Sequence, residues 1–386
     1  MAKTLKRTEF DGEDIERIAL VKLLLDKDEA AAMASLGEME LLCKTAGGEV
    51  VARFTQAKDK PDPATYIGSG KVTEIADFCR KTEITLVVFD CELSPSQIKN
   101  LEDGFGGDVR VIDRSMLILD IFALHATTGE GKLQVELAQL KYTAPRLIGK
   151  GLELSRQGGS GSIAARGPGE SKLETDRRYI KRRITSLEQQ IAVMEKNRET
   201  QRSQRMRSGI PMVTIAGYTN AGKSTLLNYL TGAGILAENK LFATLDPTTR
   251  RLKLPTGRQI LITDTVGFIR NLPHQFIKAF RSTLDEVKYS DVTVVLMDAS
   301  DRECTAQAKV TLELLQELKA TDKPILYVFN KCDTPAVDEY GEKYLPTAPE
   351  GVERENVLYI SAKTGKGIPE LLDRIGELVA NVGYVK

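Results

Sequence analysis

Residues 217–225 read Gly-Tyr-Thr-Asn-Ala-Gly-Lys-Ser-Thr, and this stretch decides the fold of the chain around it. An apolar run with β-branched residues precedes it at 211–216, and Leu-Leu-Asn-Tyr-Leu follows at 226–230. A strand, the pattern G-x-x-x-x-G-K-S and a helix, in that order, predict a phosphate-binding loop. Its glycines let several backbone N–H groups point at one anion, and the helix N-terminus adds partial positive charge. The predicted ligand-binding residues are Gly217, Tyr218, Thr219, Asn220, Ala221, Gly222, Lys223, Ser224 and Thr225.

Two side chains of this loop have predicted chemical roles. Lys223 would reach the β- and γ-phosphates of a bound nucleotide, and the Ser224 hydroxyl would ligate Mg²⁺. An ordinary glycine-rich turn is the alternative interpretation of the loop alone. The motifs that follow decide between the two.

Length, charge and cysteine content limit the number of domains, the kinds of partner and the cellular compartment that we expect. A chain of 386 residues predicts two or three domains. Lys+Arg and Asp+Glu are equal at 54, so the overall charge indicates no partner. The cysteines form no C-x-x-C pair, which favours free thiols in a reducing cytoplasm; they are Cys43, Cys79, Cys91, Cys304 and Cys332. We expect neither a membrane segment nor a signal peptide, because no sufficiently long apolar run is present.

Residues 1–113 predict a small α/β domain with a mostly parallel sheet. The apolar residues of 15–25 recur at helical spacing and predict a helix. A further helix is predicted near 30–43, a loop and then a helix over 67–81, and strands at 49–54, 86–90 and 109–113. The string Gly68-Ser69-Gly70-Lys71 favours a strand-to-helix turn, with a weak nucleotide or RNA contact as the alternative.

Residues 114–207 predict a long antiparallel helical hairpin. One seam contains Leu133, Leu137 and Leu140, and the other follows a heptad spacing through Leu173, Ile180, Ile184, Leu187, Ile191 and Met194. Between them lies a glycine-rich basic tip loop at 149–172. Residues 174–207 contain ten Lys/Arg and five Asp/Glu, a net charge of +5. A basic helix and tip favour contact with structured RNA, while a solvated charged helix with a slack linker is the alternative.

Residues 211–386 predict a doubly wound P-loop domain with its site at the carboxyl ends of the strands. Asp264, Thr265, Val266 and Gly267 follow an apolar strand, where the aspartate can hold a Mg²⁺-bound water and the Gly267 N–H can meet a γ-phosphate. Asn330, Lys331 and Asp333 form N-K-x-D, whose carboxylate accepts from N1–H and N2–H of guanine and would be left unpaired by adenine. The backbone of Ser361, Ala362 and Lys363 would meet the guanine O6. The ordered set predicts a GTP-binding domain.

These motifs resemble those of the HflX family of translational GTPases. The resemblance rests on the phosphate-binding loop, on 241–250 and 264–269, and upstream on 131–140 and 166–178. It implies a magnesium-dependent enzyme that converts GTP to GDP and phosphate and is stimulated by the ribosome. It also implies a monomer that binds the large ribosomal subunit, with the tip loop and basic helix near the peptidyl-transferase region. Family members split stalled or inactive ribosomes, notably under heat stress.

The resemblance also assigns switch residues. It implies that Phe242, Ala243, Thr244, Leu245 and Asp246 contact the nucleotide, with Thr244 as a catalytic Mg²⁺ ligand and Thr248 as the runner-up. Asn220 resembles the potassium-coordinating Asn of K⁺-dependent GTPases. Phe268 stands where many GTPases have a water-orienting Gln, so intrinsic hydrolysis is expected to be slow. Longer members carry a further C-terminal domain, which this chain is expected to lack.

Two functions remain open from the sequence. The first is a GTPase that splits or rescues ribosomes. The second is a GTP-switched RNA-binding assembly factor in which hydrolysis serves only release. The hairpin tip suits both.

Overall fold

The computed structural model describes residues 15–25, 28–157, 168–207, 209–232, 241–242, 245–273, 276, 281–337, 342–348 and 351–381. The chain divides into two compact units. One contains Met1–Leu124 and Lys132–Ala192, and the other contains His125–Gly131 and Val193–Lys386. The predicted bounds 1–113, 114–207 and 211–386 therefore stay a prediction. No helix in the described ranges is long and apolar enough to cross a membrane.

The first unit contains a four-stranded parallel sheet of order β2-β1-β3-β4. Its strands are β1 (Glu16–Leu24), β2 (Gly48–Ala57), β3 (Leu86–Phe89) and β4 (Arg110–Asp113). The helices along this part of the chain are α1 (Glu29–Thr45), α2 (Ser69–Thr82), α3 (Pro95–Gly104) and α4 (Arg114–His125). The helix α3 begins where Ser94 and Gln97 form a reciprocal capping box, with Pro95 at the first helical position.

The helix predicted over 15–25 is wrong, because this segment is the strand β1. Ile18, Ala19, Leu20 and Val21 are consecutive and all buried. A strand that is covered on both faces reads as a continuous apolar run. Such a run contains apolar residues at helical spacing by necessity, so periodicity alone does not distinguish the two structures.

The Gly68–Lys71 string is the start of α2, with Gly68 as the N-cap residue and Ser69 as the first helical residue. The Gly68 N–H donates to Oε1 of Gln56 at 2.8 Å, and the Lys71 ammonium pairs with Glu74 at 2.7 Å. Strand β2 ends at Ala57, so a loop and not a strand leads into α2, and the favoured strand-to-helix turn is wrong in that respect.

The two long helices are α5 (Gly129–Gln157) and α6 (Pro168–Arg207). Both extend further than predicted: α5 continues through 149–157, and α6 begins at Pro168 rather than near 174. Between 149 and 157 only Gly149 and Gly151 are glycines, and most of the other residues favour helix. The high glycine content of the predicted tip loop as a whole hid this helical part. The rest of the predicted tip loop, 158–167, lies outside the described residues.

Part of the two predicted seams packs together, 133–140 of α5 against 184–191 of α6. Leu187, Ile191 and Leu137 form one buried cluster with the partly buried Leu133, Leu140 and Ile184. Ion pairs join Glu136 to Arg183 at 2.7 Å, Lys141 to Glu188 at 2.7 Å and Glu130 to Arg198 at 3.0 Å. Glu130 pairs with Arg198, whereas Lys141, which comes later in α5, pairs with Glu188, which comes earlier in α6. The two helices are therefore antiparallel.

The second unit contains a six-stranded sheet of order β12-β9-β8-β5-β7-β6. Its neighbours are parallel except for β6 and β7. These strands are β5 (Met212–Gly217), β6 (Thr248–Lys253), β7 (Gln259–Asp264), β8 (Val292–Asp298), β9 (Ile325–Asn330) and β12 (Val357–Tyr359). The described helices here are α7 (Lys223–Thr231), α8 (Arg281–Lys288), α9 (Cys304–Glu317) and α10 (Ile368–Asn381). A short antiparallel pair, β10 (Ala336–Val337) and β11 (Lys343–Tyr344), precedes β12.

The sheet core explains where the functional motifs converge. Central strands β5 and β8 are buried along their whole length. Strands that are covered on both faces carry mostly apolar side chains, so the polar functional side chains lie on the loops at the strand ends. Because β5, β7, β8, β9 and β12 are parallel, their carboxyl ends share one edge of the sheet, as the sequence predicted.

Candidate nucleotide site

Close backbone packing shapes the loop after β5. A Cβ on Gly217 would lie 2.2 Å from the Leu296 carbonyl oxygen, and one on Gly222 would lie 2.3 Å from Nδ2 of Asn330. Gly222 also has φ 93° and caps the N-terminus of α7. Both positions therefore need glycine, which turns the loop's N–H groups and the start of α7 toward one point.

The Lys223 ammonium is buried inside this loop. It donates to the carbonyl oxygens of Tyr218 at 2.8 Å and Gly217 at 3.2 Å. Burial lowers the pKa of Lys223 to about 8, while the nearby Asp264 carboxylate opposes that shift. A phosphate anion at this position would favour the charged ammonium, which is the role predicted for Lys223.

Ser224 and Asp264 meet at the site predicted for the metal. The Ser224 hydroxyl donates to Oδ2 of Asp264 at 2.6 Å, and Asp264 is fully buried at the end of β7. A hydroxyl and a carboxylate are hard oxygen donors of the kind that Mg²⁺ prefers. These two residues could thus hold the ion together with phosphate oxygens and water.

Residues 265–268 pack directly on the phosphate-binding loop. The Thr219 N–H donates to the Phe268 carbonyl at 2.8 Å, and the Phe268 N–H donates to the Gly217 carbonyl at 3.1 Å. A Cβ on Gly267 would lie 2.7 Å from Cγ2 of Thr219 and 3.0 Å from Nζ of Lys223. Only glycine allows this approach, which brings the Gly267 backbone beside the lysine that would bind phosphate.

Neighbouring side chains secure the same segment. The Arg270 N–H donates to the Tyr218 hydroxyl at 2.8 Å, and the Thr265 hydroxyl donates to the Ile215 carbonyl at 2.8 Å. Thr265 and Val266 are buried. The hydroxyl of Tyr218 is a contact that the sequence motif did not reveal.

The base-recognition motifs are joined to the loop through Asn330. Its amide donates to the Ala221 carbonyl at 2.9 Å and accepts from the Ala362 N–H at 2.9 Å. The pKa of Asp333 lies below its usual range, mainly because the carboxylate accepts a hydrogen bond from the Ser361 hydroxyl. The carboxylate is thereby kept ionised and able to accept from guanine N1–H and N2–H. Lys331 pairs with Asp298 at 2.6 Å at the end of β8.

Not all predicted residues gather at this point. The Asp246 carboxylate accepts hydrogen bonds from Thr127 and Thr128 at the start of α5. Phe242 and Leu245 are buried, while Ala243 and Thr244 lie outside the described residues. Thr248, the alternative to Thr244, is the ladder partner of Asp264 in the β6–β7 pair. The roles assigned to Phe242, Ala243, Thr244, Leu245 and Asp246 stay predictions.

Asn220, Thr225 and Lys363 are further residues of the predicted site. All three are exposed, and Asn220 has φ 62°, a conformation that asparagine tolerates better than most residues. Their side chains are therefore available to a ligand or ion, and their predicted roles remain untested.

A second candidate surface lies on α6. An open groove of about 380 Å³ is lined by Arg178, Lys181, Arg182, Thr185, Ser186 and Gln189. These residues recur at spacings of three and four, so they share one face of the helix. Cations beside hydroxyl and amide groups are the side chains that contact phosphate and sugar in nucleic acids.

Comparison with known protein families finds a match for each part of this architecture. Three family models match consecutive parts of the chain: a GTP-binding GTPase N-terminal region at 33–123, a GTP-binding GTPase middle region at 125–205, and a 50S ribosome-binding GTPase at 212–331. Together they cover the predicted N-terminal domain, hairpin and P-loop domain in the same order.

Individual relatives agree with the family models. GTPase HflX of Lacrimispora saccharolytica is 48% identical, with 96% of this chain and 84% of the relative covered. GTPase HflX of Escherichia coli is 41% identical, with 95% of this chain and 84% of the relative covered. The crystal structure of SsGBP in complex with GDP has a TM-score of 0.50 at 28% identity, covering 95% of this chain and 99% of that one. The chain is a GTP-hydrolysing enzyme, and it belongs to the HflX family of GTPases.

Proposed function

We propose that this protein binds the large ribosomal subunit and uses its GTP cycle to separate the subunits of stalled or inactive ribosomes in the cytoplasm. The basic groove on α6 is the observation that carries the proposal. Its cations are exposed on a helix that the Leu137–Leu187–Ile191 cluster fixes to α5. The description of the matched family model as a 50S ribosome-binding GTPase supports the choice of subunit.

The charge of the groove suits RNA phosphate. Arg178, Lys181 and Arg182 are exposed within about one helical turn. Neutralising phosphates releases counterions, so binding through this face should weaken steeply as salt rises. We infer that the groove contacts ribosomal RNA and that the tip of the hairpin reaches toward the peptidyl-transferase region.

We propose that hydrolysis uses Mg²⁺ held by Ser224, Asp264 and Thr244. When bound, the ion would neutralise charge on the β- and γ-phosphates. The Lys223 ammonium would stabilise the same charge, and the Gly267 N–H would donate to a γ-phosphate oxygen. The Phe268 side chain cannot orient a water by hydrogen bonding, so we propose that contact with the ribosome completes the site.

We also propose that K⁺ stimulates hydrolysis through Asn220. The side chain is exposed within the phosphate-binding loop, and its amide oxygen is a suitable ligand for a monovalent cation. Turnover in KCl should exceed turnover in NaCl at equal ionic strength, and Asn220→Ala should remove the difference. Equal wild-type rates in the two salts would contradict the assignment.

Sucrose-gradient sedimentation tests the proposed splitting. Whole ribosomes are incubated with the protein and GTP, and parallel samples receive GDP or no protein. The proposal predicts conversion of whole ribosomes to free subunits only with GTP, with the protein sedimenting with the large subunit. Stable binding without dissociation would contradict splitting and support an assembly factor whose hydrolysis serves release.

A further inference from the structure

The carboxylate of Asp246 is clasped by two consecutive threonines that lie far from it in sequence. Oδ2 accepts from the Thr127 hydroxyl at 2.9 Å, the Thr127 N–H at 3.2 Å and the Thr128 N–H at 2.9 Å. Oδ1 accepts from the Thr128 hydroxyl at 2.6 Å. We call this arrangement of Thr127, Thr128 and Asp246 the threonine clasp.

The clasp sits at the beginning of α5, which starts at Gly129. The Thr128 hydroxyl also accepts from the Gly131 N–H at 3.0 Å, as an N-cap side chain does. A Cβ on Gly131 would lie 2.6 Å from Oδ1 of Asp246, so a side chain there would disturb the contact. The partial positive charge of the helix N-terminus further favours the carboxylate.

Asp246 is joined by a short stretch of chain to the metal side of the nucleotide site. Strand β6 begins two residues later at Thr248, whose ladder partner in β7 is Asp264. Two residues span at most about 7 Å of extended chain, so fixing Asp246 restricts where β6 can begin. Asp264 in turn accepts the Ser224 hydroxyl at 2.6 Å. The clasp, β6 and the Ser224–Asp264 pair thus form one connected path.

The position of β6 makes such a clasp useful. This strand is at the edge of the sheet and pairs only with β7 among the described strands. An edge strand has ladder hydrogen bonds on one side alone, so its end frays more easily than the end of a central strand.

We propose that Thr127 and Thr128 are positioning residues for GTP hydrolysis that act through Asp246. The two threonines precede the phosphate-binding loop by about 90 residues, and they hold the start of β6 in the conformation that the triphosphate site requires. The clasp reduces the conformational entropy that this segment loses when the GTP-bound site reaches the arrangement in which hydrolysis occurs. GDP lacks the γ-phosphate, so its binding depends little on the clasp.

A double-mutant cycle in kcat tests the assignment. Thr127→Val removes one hydroxyl donor with little change in shape and leaves the Thr128 N-cap intact, and Asp246→Ala removes the acceptor. Thr127→Val should lower kcat for GTP about threefold to tenfold, with GDP affinity changed less than about twofold. In the Asp246→Ala background the same substitution should have no further effect.

Two further variants separate positioning from general destabilisation. Thr127→Ser retains the hydroxyl and should restore the wild-type kcat. Thr143→Val is the matched control, because the Thr143 hydroxyl donates only within α5, to the Gln139 carbonyl at 2.7 Å, and its kcat should match wild type. The proposal is overturned if Thr127→Val leaves kcat unchanged or raises it. It is equally overturned if the loss is the same in both backgrounds, or if GDP affinity falls in proportion.

Discussion

The side chain of Phe268 is 1% exposed, and its backbone is bonded to the phosphate-binding loop on both sides. A residue in this position cannot present its side chain to an attacking water without leaving the core. The phenyl ring is therefore better explained as packing that holds Gly267 beside Lys223. The identity of residue 268 should matter for stability more than for the chemical step.

Phe268→Gln tests this explanation. We expect no acceleration of single-turnover GTP hydrolysis, because the new amide would be buried rather than directed at water. Burying it without partners should lower the free energy of unfolding by about 1–3 kcal/mol. Thermal unfolding measures the second effect, and Phe268→Leu serves as the apolar control that keeps the rate. A tenfold gain in rate in the glutamine variant would show that the chain lacks only a catalytic amide.

Asp120 on α4 is a buried carboxyl group outside the nucleotide site. Its Oδ1 has no hydrogen-bond partner among the described residues, and the side chain is buried in the first unit. Burial raises the pKa of Asp120 to about 7, opposed by Arg110 and reinforced by Glu16. Between about pH 4 and pH 7 the folded state holds a proton that the unfolded state has lost. The free energy of unfolding therefore falls progressively as pH rises from about 4 to 7, and the destabilisation is complete above about pH 7.

Asp120→Asn should remove that pH dependence. We expect the variant to be more stable than wild type at pH 8, and its advantage at pH 8 to exceed that at pH 5 by about 2 kcal/mol. Urea unfolding followed by circular dichroism at the two pH values measures both. An equal advantage at pH 5 and pH 8 would mean that ionisation of Asp120 does not contribute.

At the scale of single elements, the hairpin depends on a small apolar seam. Leu187 is fully buried in that seam, whereas Val193, six residues further along α6, is 62% exposed. Leu187→Ala should lower the stability of the α5–α6 pair by about 2–3 kcal/mol, because few neighbours can collapse into the cavity. Val193→Ala is the control and should change stability by less than about 0.5 kcal/mol.

Amide hydrogen exchange in α5 and α6 measures this difference directly. Loss of the seam should speed exchange in both helices and leave β5 and β8 protected. Equal protection in the two variants would show that the ion pairs, such as Glu136–Arg183, hold the hairpin without the seam.

Individual elements also show which parts of the fold and of the nucleotide site can be predicted from the sequence alone. The P-loop, the Asp264–Gly267 segment and N-K-x-D were predictable because each follows a buried strand, and chain order places them on one sheet edge. The strand β1 was not, because a continuous buried run carries no period of its own. The threonine clasp was missed because it joins residues 118 and 119 positions apart. Thr-Thr before Gly-Glu is a helix-start signal, but nothing in the signal names Asp246 as its partner.

At the scale of the whole molecule, one chain combines a GTPase site with a basic helical face. The nucleotide site is assembled by Ser224, Asp264, Gly267 and Asn330 within one unit. The basic groove lies on α6 in the other unit. The helices α5 and α6 each have residues in both units, and we propose that nucleotide state acts on the proposed binding to RNA through them.

Binding of purified large ribosomal subunits tests this account most directly. It is measured with a non-hydrolysable GTP analogue and with GDP, for wild type, for Arg178→Glu/Lys181→Glu/Arg182→Glu, and for the matched control Lys309→Glu/Lys319→Glu/Lys343→Glu, whose lysines are exposed in the second unit. We predict tight binding with the analogue for wild type and control, and at least a tenfold loss for the groove variant. Wild-type affinity in the groove variant, or affinity that is the same with GDP as with the analogue, would contradict the account.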